Sequence, residues 1–188
     1  MKKKIINIVG PSGSGKTTIV GETLKELGVL EIVSHTSREK RPNEIENVTY
    51  HYTTKEKILD MIKNNETVEY SNYIGNGDLY CISKKEIEDK LKKCDILFVI
   101  TDINGTNRLK EIYGDSVYVV FVFADAKTLS NRLIERGDDP KKIIERVTNF
   151  SMKNEFENYK YADFVILNKD LHRTKEQVKC IYNIIKED

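Results

Sequence analysis

Residues 10–17 read GPSGSGKT, a complete match to the phosphate-binding pattern G-x-x-x-x-G-K-[ST]. The match follows an apolar run at residues 5–9 and precedes a helical pattern at residues 17–27, so it connects a strand to a helix. In that position the glycines allow a tight turn, and the backbone N–H groups and the start of the helix point at an anion. The stretch therefore predicts a phosphate-binding loop (P-loop).

The side chains of this loop suit a nucleoside triphosphate. Lys16 is placed to contact the β- and γ-phosphates, and the hydroxyl of Thr17 is placed to bind a magnesium ion. A glycine-rich turn without a ligand would leave a row of N–H donors without partners, and it would not explain the Lys-Thr pair after the last glycine. The predicted nucleotide-binding residues are Gly10, Ser12, Gly13, Ser14, Gly15, Lys16, Thr17 and Thr18.

Length and composition place further limits on the protein. Its 188 residues correspond to one ordinary α/β domain with small insertions. No apolar stretch approaches the roughly 20 residues that span a bilayer, and the run at residues 5–9 enters the P-loop, so it is a strand and not a signal peptide. The cysteines Cys81, Cys94 and Cys180 are scattered and have neither metal-binding nor redox spacing. We expect a cytoplasmic protein without a membrane partner.

The charged residues exclude one class of partner and indicate another. With 31 basic and 30 acidic side chains the net charge is +1, so no large basic field is available for a nucleic-acid polymer. Five of the seven arginines nevertheless fall in two short segments, and arginine binds phosphate oxygens with a planar fork that lysine lacks. These five are Arg38, Arg41, Arg132, Arg136 and Arg146. The clustering favours two phosphate-handling patches over ordinary surface arginines.

Hydrophobic patterning predicts alternating strands and helices. Near-continuous apolar runs, typical of strands covered on both faces, lie at residues 5–9, 96–101, 117–123 and 164–167, with a short candidate at 32–34. Helical spacing of apolar residues predicts helices at 17–27, 55–64, 84–93, 129–136 and 174–186. This order after a P-loop predicts an α/β fold with a doubly wound parallel sheet. Residues 34–88, with turn clusters and tyrosine-rich runs, predict an inserted and partly β subdomain between the core segments 1–33 and 89–188.

Two further positions bear on the kind of nucleotide-binding protein. Asp102 follows a buried strand, where an acidic side chain often faces the P-loop and binds magnesium through water, although it could instead cap the next turn. Residues 168–171 read NKDL, which has leucine where the guanine-reading motif N-K-x-D of GTPases needs aspartate. The GTPase interpretation fails at that position.

A second stretch, residues 34–44, reads SHTSREKRPNE and is followed by Tyr50. It resembles the GMP-binding segment of the guanylate kinase family, S-x-[ST]-[ST]-R-x-x-R-x-G-E with a tyrosine at this spacing. Glu69 resembles that family's base-reading glutamate, and Tyr80 resembles the tyrosine of its Y-G-[ST] motif.

Later segments continue the resemblance in the same order. Residues 132–137 read RLIERG and are followed by Arg146, which is similar to the family's lid, expected within about 132–150. Residues 163–168 read DFVILN and resemble the family's late strand with an asparagine, here Asn168, near adenine. The resemblance therefore covers nearly the whole chain.

The resemblance implies a nucleotide-binding transferase of purine nucleotide metabolism. It would move the γ-phosphoryl group of ATP, with Mg²⁺, to GMP or dGMP, as a monomer or homodimer. The implied acceptor-binding residues are Ser34, Arg38, Arg41, Tyr50, Glu69, Tyr80 and Asp102. The implied catalytic residues are Lys16, Arg132, Arg136 and Arg146, and the implied metal-binding residues are Thr17 and Asp102.

Two departures from the family pattern leave alternatives open. Ile82 stands where Y-G-[ST] has a hydroxyl that reads guanine, and Ile100 replaces the first aspartate of a D-x-D motif that ends at Asp102. A kinase of this family with a shifted acceptor, another nucleoside monophosphate or a phosphorylated sugar, is the second hypothesis. A non-catalytic guanylate kinase-like binding module is the third, although the intact Lys16 and Thr17 argue against it.

Overall fold

The structure, a computed structural model, describes residues 3–41, 44–72, 77–135, 137–152 and 155–188, with the side chains of 72, 142, 146, 149–152, 155 and 156 outside the description. The strands are β1 (Lys4–Val9), β2 (Leu30–Glu31), β3 (His35–Thr36), β4 (His51–Tyr52), β5 (Thr67–Asn72), β6 (Leu79–Ser83), β7 (Ile96–Ile100), β8 (Val117–Phe123) and β9 (Phe164–Leu167). The helices are α1 (Lys16–Leu27), α2 (Lys55–Lys63), α3 (Lys84–Leu91), α4 (Ile103–Tyr113), α5 (Ala126–Glu135), α6 (Pro140–Met152) and α7 (Leu171–Glu187).

A five-stranded parallel sheet, in the order β2-β7-β1-β8-β9, forms the centre of the molecule. The central strand β1 is buried along its whole length because helices cover both faces of the sheet. On one face Ile6 packs in a cluster with residues of α1 and α7, and on the other Ile5 packs with residues of α3 and α4. The prediction of a doubly wound parallel α/β sheet is confirmed.

A second sheet, in the order β4-β3-β6-β5, is built from the chain between β2 and α3. β6 pairs antiparallel with both β3 and β5, and β3 pairs parallel with β4. Helix α2 covers this sheet through Ile58, which packs against Leu79 and Cys81. The segment that follows β1 and α1 therefore forms a separate β-rich layer, which stands beside the P-loop.

The structure differs from the predicted elements in two respects. The expected strand at residues 32–34 is wrong: β2 ends before it and β3 begins after it. The chain is leaving the central sheet there, since the Val33 N–H donates to the carboxylate of Glu86, 3.1 Å away, and not to a strand. Helices α4 and α6 were not predicted, and in α4 the buried residues are limited to Gly105, Thr106 and Leu109, which give little apolar periodicity.

Candidate active site

The P-loop connects β1 to α1, and its three glycines all have positive φ values, of which Gly10 and Gly15 are the most constrained by their surroundings. Gly10 has φ 145° and Gly15 has φ 90°, values that residues with a side chain rarely adopt. A Cβ at Gly10 would overlap the carbonyl oxygen of Val122, and a Cβ at Gly15 would lie 2.5 Å from Nδ2 of Asn168. Gly10 and Gly15 are therefore required both by their backbone conformation and by the lack of space for a side chain.

Lys16 begins helix α1 and its ammonium group lies over the loop. Its Nζ donates to the carbonyl oxygens of Gly10 and Pro11, at 2.7 and 2.9 Å. Phosphate oxygens carry more negative charge than these carbonyls and can replace them as acceptors. Thr17 and Thr18, the next two residues, are exposed, so their hydroxyl groups are accessible to a ligand at the start of the helix.

A cleft of about 880 Å³ lies between the P-loop, the second sheet and the end of β7. Its lining contains ten of the predicted site residues: Gly10, Ser12, Lys16, Ser34, Arg38, Arg41, Tyr50, Glu69, Tyr80 and Asp102. Among the described residues Gly13, Ser14, Gly15, Thr17, Thr18, Arg132 and Asn168 lie outside this lining. The structure thus brings the predicted acceptor residues and three residues of the P-loop, Gly10, Ser12 and Lys16, into one cavity.

On the side of the cleft formed by the second sheet, Arg38 is held by Glu44 and Tyr80. Its NH1 and NH2 groups donate to the two carboxylate oxygens of Glu44, at 3.0 and 2.7 Å, and its Nε donates to the Tyr80 hydroxyl at 3.1 Å. The carboxylate of Glu44 also accepts from the Tyr52 hydroxyl at 2.7 Å. The hydrogen bond from Arg38 lowers the pKa of Glu44 to about 2, so this carboxylate is charged at neutral pH.

The sequence did not predict that the Glu44 carboxylate binds the Arg38 guanidinium group. Most N–H groups of the Arg38 fork bond to protein atoms, and the guanidinium carbon lies 5.5 Å from the centre of the Tyr50 ring. Arg38 is therefore fixed in direction before a phosphate arrives. Arg41, by contrast, is exposed at the cleft.

We expect Arg38→Lys to raise the KM for the acceptor monophosphate about tenfold or more and to leave the KM for ATP within about twofold. Lysine keeps a charge but loses the fork that Glu44 and Tyr80 orient. The same change at the exposed Arg41 is the matched comparison, and it should have a smaller effect on thermal stability. Steady-state kinetics with each substrate varied in turn measures the two KM values. Equal changes in both would show that Arg38 does not belong to a separate acceptor pocket.

Glu69 on β5 lies against the start of helix α4. A Cβ at Gly105 would overlap the Glu69 carboxylate, so the approach of these two elements requires glycine at that position. Burial raises the pKa of Glu69 to about 8, and the nearby charge of Asp102 adds to the shift. Among the described residues no donor bonds the Glu69 carboxyl group, which therefore faces the cleft ready for donors on a ligand.

Asp102 caps helix α4, as the alternative interpretation of this residue allowed. Its Oδ1 accepts from the Gly105 N–H at 2.9 Å, and the side chain is exposed to the cleft. Beneath it the Asn7 side chain donates to Thr106 at 2.8 Å and accepts from Thr101 at 2.9 Å. Sequence reasoning missed this buried network, although a polar Asn7 within an apolar strand was its signal.

Ile82, expected to replace a hydroxyl group in the base pocket, has another position. It is 1% exposed and packs in a hydrophobic cluster with Val68 and Ile87. The neighbouring Cys81 lines the cleft, and burial raises the pKa of its thiol to about 12, so the thiol is uncharged at neutral pH. Ile82 is therefore a core residue, and the departure at this position carries less weight for base selectivity than the sequence suggested.

Arg132 and Asn168 contact the backbone of the P-loop. Arg132 donates to the carbonyl oxygens of Ser14 and Asn168, both at 3.3 Å, and the Asn168 amide donates to the Ser14 carbonyl at 2.7 Å. Arg136 lies outside the described residues, as does the side chain of Arg146, which is on α6. The cleft lining also contains Gly137, Asp138 and Asp139, which lie within the segment predicted as the lid but were not predicted individually as site residues.

Two negative findings concern the described part of the chain. It holds no group of three or more His, Cys, Asp or Glu side chains that could enclose a metal ion. None of its helices combines the length and the apolar character that crossing a membrane requires. A magnesium ion at this site would depend on a nucleotide for most of its ligands, which is its usual mode of binding.

Comparison with known proteins gives a consistent result. The family model described as guanylate kinase matches residues 2–184. The chain is 35% identical to a guanylate kinase of Wolinella succinogenes, over 98% of this chain and 84% of that protein. It is 34% identical to a guanylate kinase of Bartonella quintana, over 92% of this chain and 77% of that protein. A crystal structure of guanylate kinase from Anaplasma phagocytophilum has a TM-score of 0.75 at 23% identity, covering 99% and 86% of the two chains.

Proposed function

The chain belongs to the guanylate kinase family, and on that premise we propose that it transfers the γ-phosphoryl group of ATP to GMP or dGMP, which gives ADP and GDP or dGDP. The observation that carries the proposal is the single cleft of about 880 Å³ that joins the P-loop lysine to the base-facing Glu69. A phosphoryl acceptor bound by the second sheet would therefore point its phosphate at the P-loop.

We assign the acceptor to the β-rich segment 34–88 and the nucleotide triphosphate to the core segments 1–33 and 89–188. Arg38, Arg41, Tyr50 and Tyr80 would hold the acceptor phosphate. Ser34 and Glu69 would read the base. Burial raises the pKa of Glu69 to about 8 in the free protein, and the N1–H and the exocyclic amine of guanine would favour its ionised form, which accepts from both. The unpartnered position of the Glu69 carboxyl group among the described residues supports this assignment.

On the donor side, Lys16 and the backbone N–H groups of the P-loop would hold the β- and γ-phosphates. The exposed hydroxyl of Thr17 and the carboxylate of Asp102 would bind Mg²⁺, which when bound neutralises phosphate charge. Arg132, Arg136 and Arg146 would add positive charge from the segment 132–150, which we assign as the lid.

Catalysis then consists of positioning and electrostatic stabilisation, with no covalent intermediate. The protein aligns the acceptor oxygen with the γ-phosphorus, and Lys16 stabilises the charge that spreads over the equatorial oxygens during transfer. Closure of the lid over the cleft, where Gly137 already contributes to the lining, would exclude water as a competing acceptor.

A panel of monophosphates tests the proposal. ADP formation from ATP, followed in a coupled assay with GMP, dGMP, AMP, CMP and UMP in turn, should give a kcat/KM for GMP at least about 100-fold above those for AMP, CMP and UMP, because the site pairs the base edge by hydrogen bonds. Faster turnover of another acceptor would favour the shifted-acceptor hypothesis. Binding without turnover of any acceptor would favour a non-catalytic module.

A further inference from the structure

We propose that Thr174, on helix α7, is a positioning residue for ATP: it restrains the amide of Asn168 and thereby keeps one peptide of the P-loop aimed at the phosphates. This inference uses the proposed function only to name ATP as the ligand. Neither the motif of the P-loop nor the acceptor pattern includes Thr174, which lies far from both in the chain.

The first step is the contact between Asn168 and the loop. The Asn168 amide Nδ2 donates to the carbonyl oxygen of Ser14 at 2.7 Å, and Asn168 is 2% exposed. In a planar trans peptide the carbonyl of one residue and the N–H of the next point in opposite directions. A Ser14 carbonyl held toward Asn168 therefore turns the Gly15 N–H away from Asn168.

That N–H is available to a ligand. The Ser14 N–H is already used within the loop, donating to the Pro11 carbonyl at 3.2 Å, whereas the Gly15 N–H has no acceptor among the described residues. Gly15 is in the left-handed conformation, with φ 90°, and the Asn168 amide occupies the place where a side chain at residue 15 would be. The geometry thus keeps the Ser14–Gly15 peptide in one orientation, with its donor free for a phosphate oxygen.

The second step is the contact between Thr174 and Asn168. The Thr174 hydroxyl, on a residue that is 1% exposed, lies 3.1 Å from Oδ1 of Asn168 and 2.8 Å from the carbonyl oxygen of Asp170. The one hydroxyl hydrogen is shared between these two acceptors. The Asp170 carbonyl also accepts from the Thr174 N–H at 3.0 Å, whereas Oδ1 of Asn168 has no other donor among the described residues. The amide points its NH₂ group toward Ser14 because the reverse orientation would place Oδ1 against the Ser14 carbonyl, and the Thr174 hydroxyl holds Oδ1 in that orientation.

Loss of the Thr174 hydroxyl should weaken the binding of ATP but not that of GMP. Without the hydroxyl, Oδ1 of Asn168 loses its hydrogen-bond partner, and the Ser14–Gly15 peptide loses part of its restraint. Part of the binding free energy of the triphosphate would then be used to order the loop, so ATP would bind more weakly. The acceptor pocket on the second sheet would be unaffected. A purely structural role of Thr174 would lower the thermal stability without separating the two substrates.

Thr174→Val removes the hydroxyl at nearly constant volume, and Thr174→Ser keeps it. Thr23→Val is the matched control, since Thr23 on α1 is also fully buried and its hydroxyl has no hydrogen-bond partner among the described residues. Isothermal titration calorimetry measures the Kd of each protein for ATP, for inorganic tripolyphosphate and for GMP. We expect Thr174→Val to weaken ATP and tripolyphosphate about tenfold and GMP less than about twofold, with Thr174→Ser and Thr23→Val near the wild type.

The outcomes separate the possibilities. Unchanged ATP affinity in Thr174→Val, or equal losses for ATP and GMP, would overturn the inference. A loss for ATP without a loss for tripolyphosphate would also overturn it, because the Asn168–Thr174 pair would then act on adenine. If the valine variant does not fold, Thr174→Ala removes the same hydroxyl and is expected to give the same split. A wild-type protein that binds ATP but does not phosphorylate GMP would overturn the proposed function and leave this inference standing.

Discussion

Replacing Lys16 with alanine should lower kcat for GMP phosphorylation by at least about 100-fold while the fold persists. The ammonium group stabilises charge that develops on the transferring phosphoryl group, and contacts of this kind contribute about 3 kcal/mol or more to the transition state. Lys16 is only half-buried, and its Nζ donates to the carbonyl oxygens of Gly10 and Pro11 in its own loop, so its removal leaves the hydrophobic core intact.

Lys25→Ala is the matched control for this variant. Lys25 lies on the same helix, is exposed, and forms an ion pair with Glu22 at 3.6 Å on the surface. Its removal should change neither kcat nor the melting temperature appreciably. Turnover of Lys16→Ala close to that of the wild type, measured at saturating ATP and GMP, would show that the P-loop does not serve phosphoryl transfer.

Glu69→Gln should reduce kcat/KM for GMP about 100-fold and at the same time stabilise the free protein at pH 8. The amide that replaces the carboxylate puts a donor where the guanine donors need an acceptor, so acceptor binding suffers. The KM for ATP should stay within about twofold, because the P-loop is unchanged.

The effect on stability follows from the raised pKa of Glu69. Burial raises the pKa of Glu69 in the folded protein to about 8, against its ordinary value of 4.5, so between these pH values the folded state keeps a proton that the unfolded state has released. This group therefore makes the wild type lose stability as the pH rises from about 4.5 to about 8, by an amount of the order of a few kcal/mol. Glutamine does not titrate, so the variant lacks this loss.

Urea denaturation at pH 5 and pH 8 measures the difference, with Glu66→Gln as the control. Glu66 is exposed and directly precedes β5, so the same substitution there should affect neither pH dependence nor GMP use. An equal change in the free energy of unfolding of wild type and Glu69→Gln between the two pH values would mean that the carboxyl group is well solvated. Retained GMP use would mean that Glu69 does not read the base.

The sequence was sufficient for the P-loop and for four of the five strands of the central sheet, because these depend on local signals. Apolar runs marked β1, β7, β8 and β9, and the predicted limits of β8 and β9 agree with the observed Val117–Phe123 and Phe164–Leu167. Helix α4 was missed because it has a polar sequence, and because its cap, Asp102, was considered mainly as a magnesium ligand. Capping by Asp102, which a search for apolar periodicity underweights, marks the start of that helix.

For the site, the motifs predicted which side chains line the cleft but not how they are held. Glu44 fixes Arg38, and Gly105 admits Glu69, through contacts between different elements. The bond from Asn168 to Ser14 joins residues 154 positions apart in the chain. Such contacts depend on how the helices and sheets pack, which the sequence pattern of a single element does not contain.

The most direct test is the fate of the γ-phosphoryl group. Wild-type protein is incubated with ATP labelled at the γ-phosphate, with and without GMP, and the products are separated by chromatography. Phosphoryl transfer predicts that the label appears in the β-phosphate of GDP, in proportion to the ADP formed, and that little is released when GMP is omitted. Label recovered as inorganic phosphate whether or not GMP is present, or transferred to another monophosphate in preference to GMP, would contradict the assigned function.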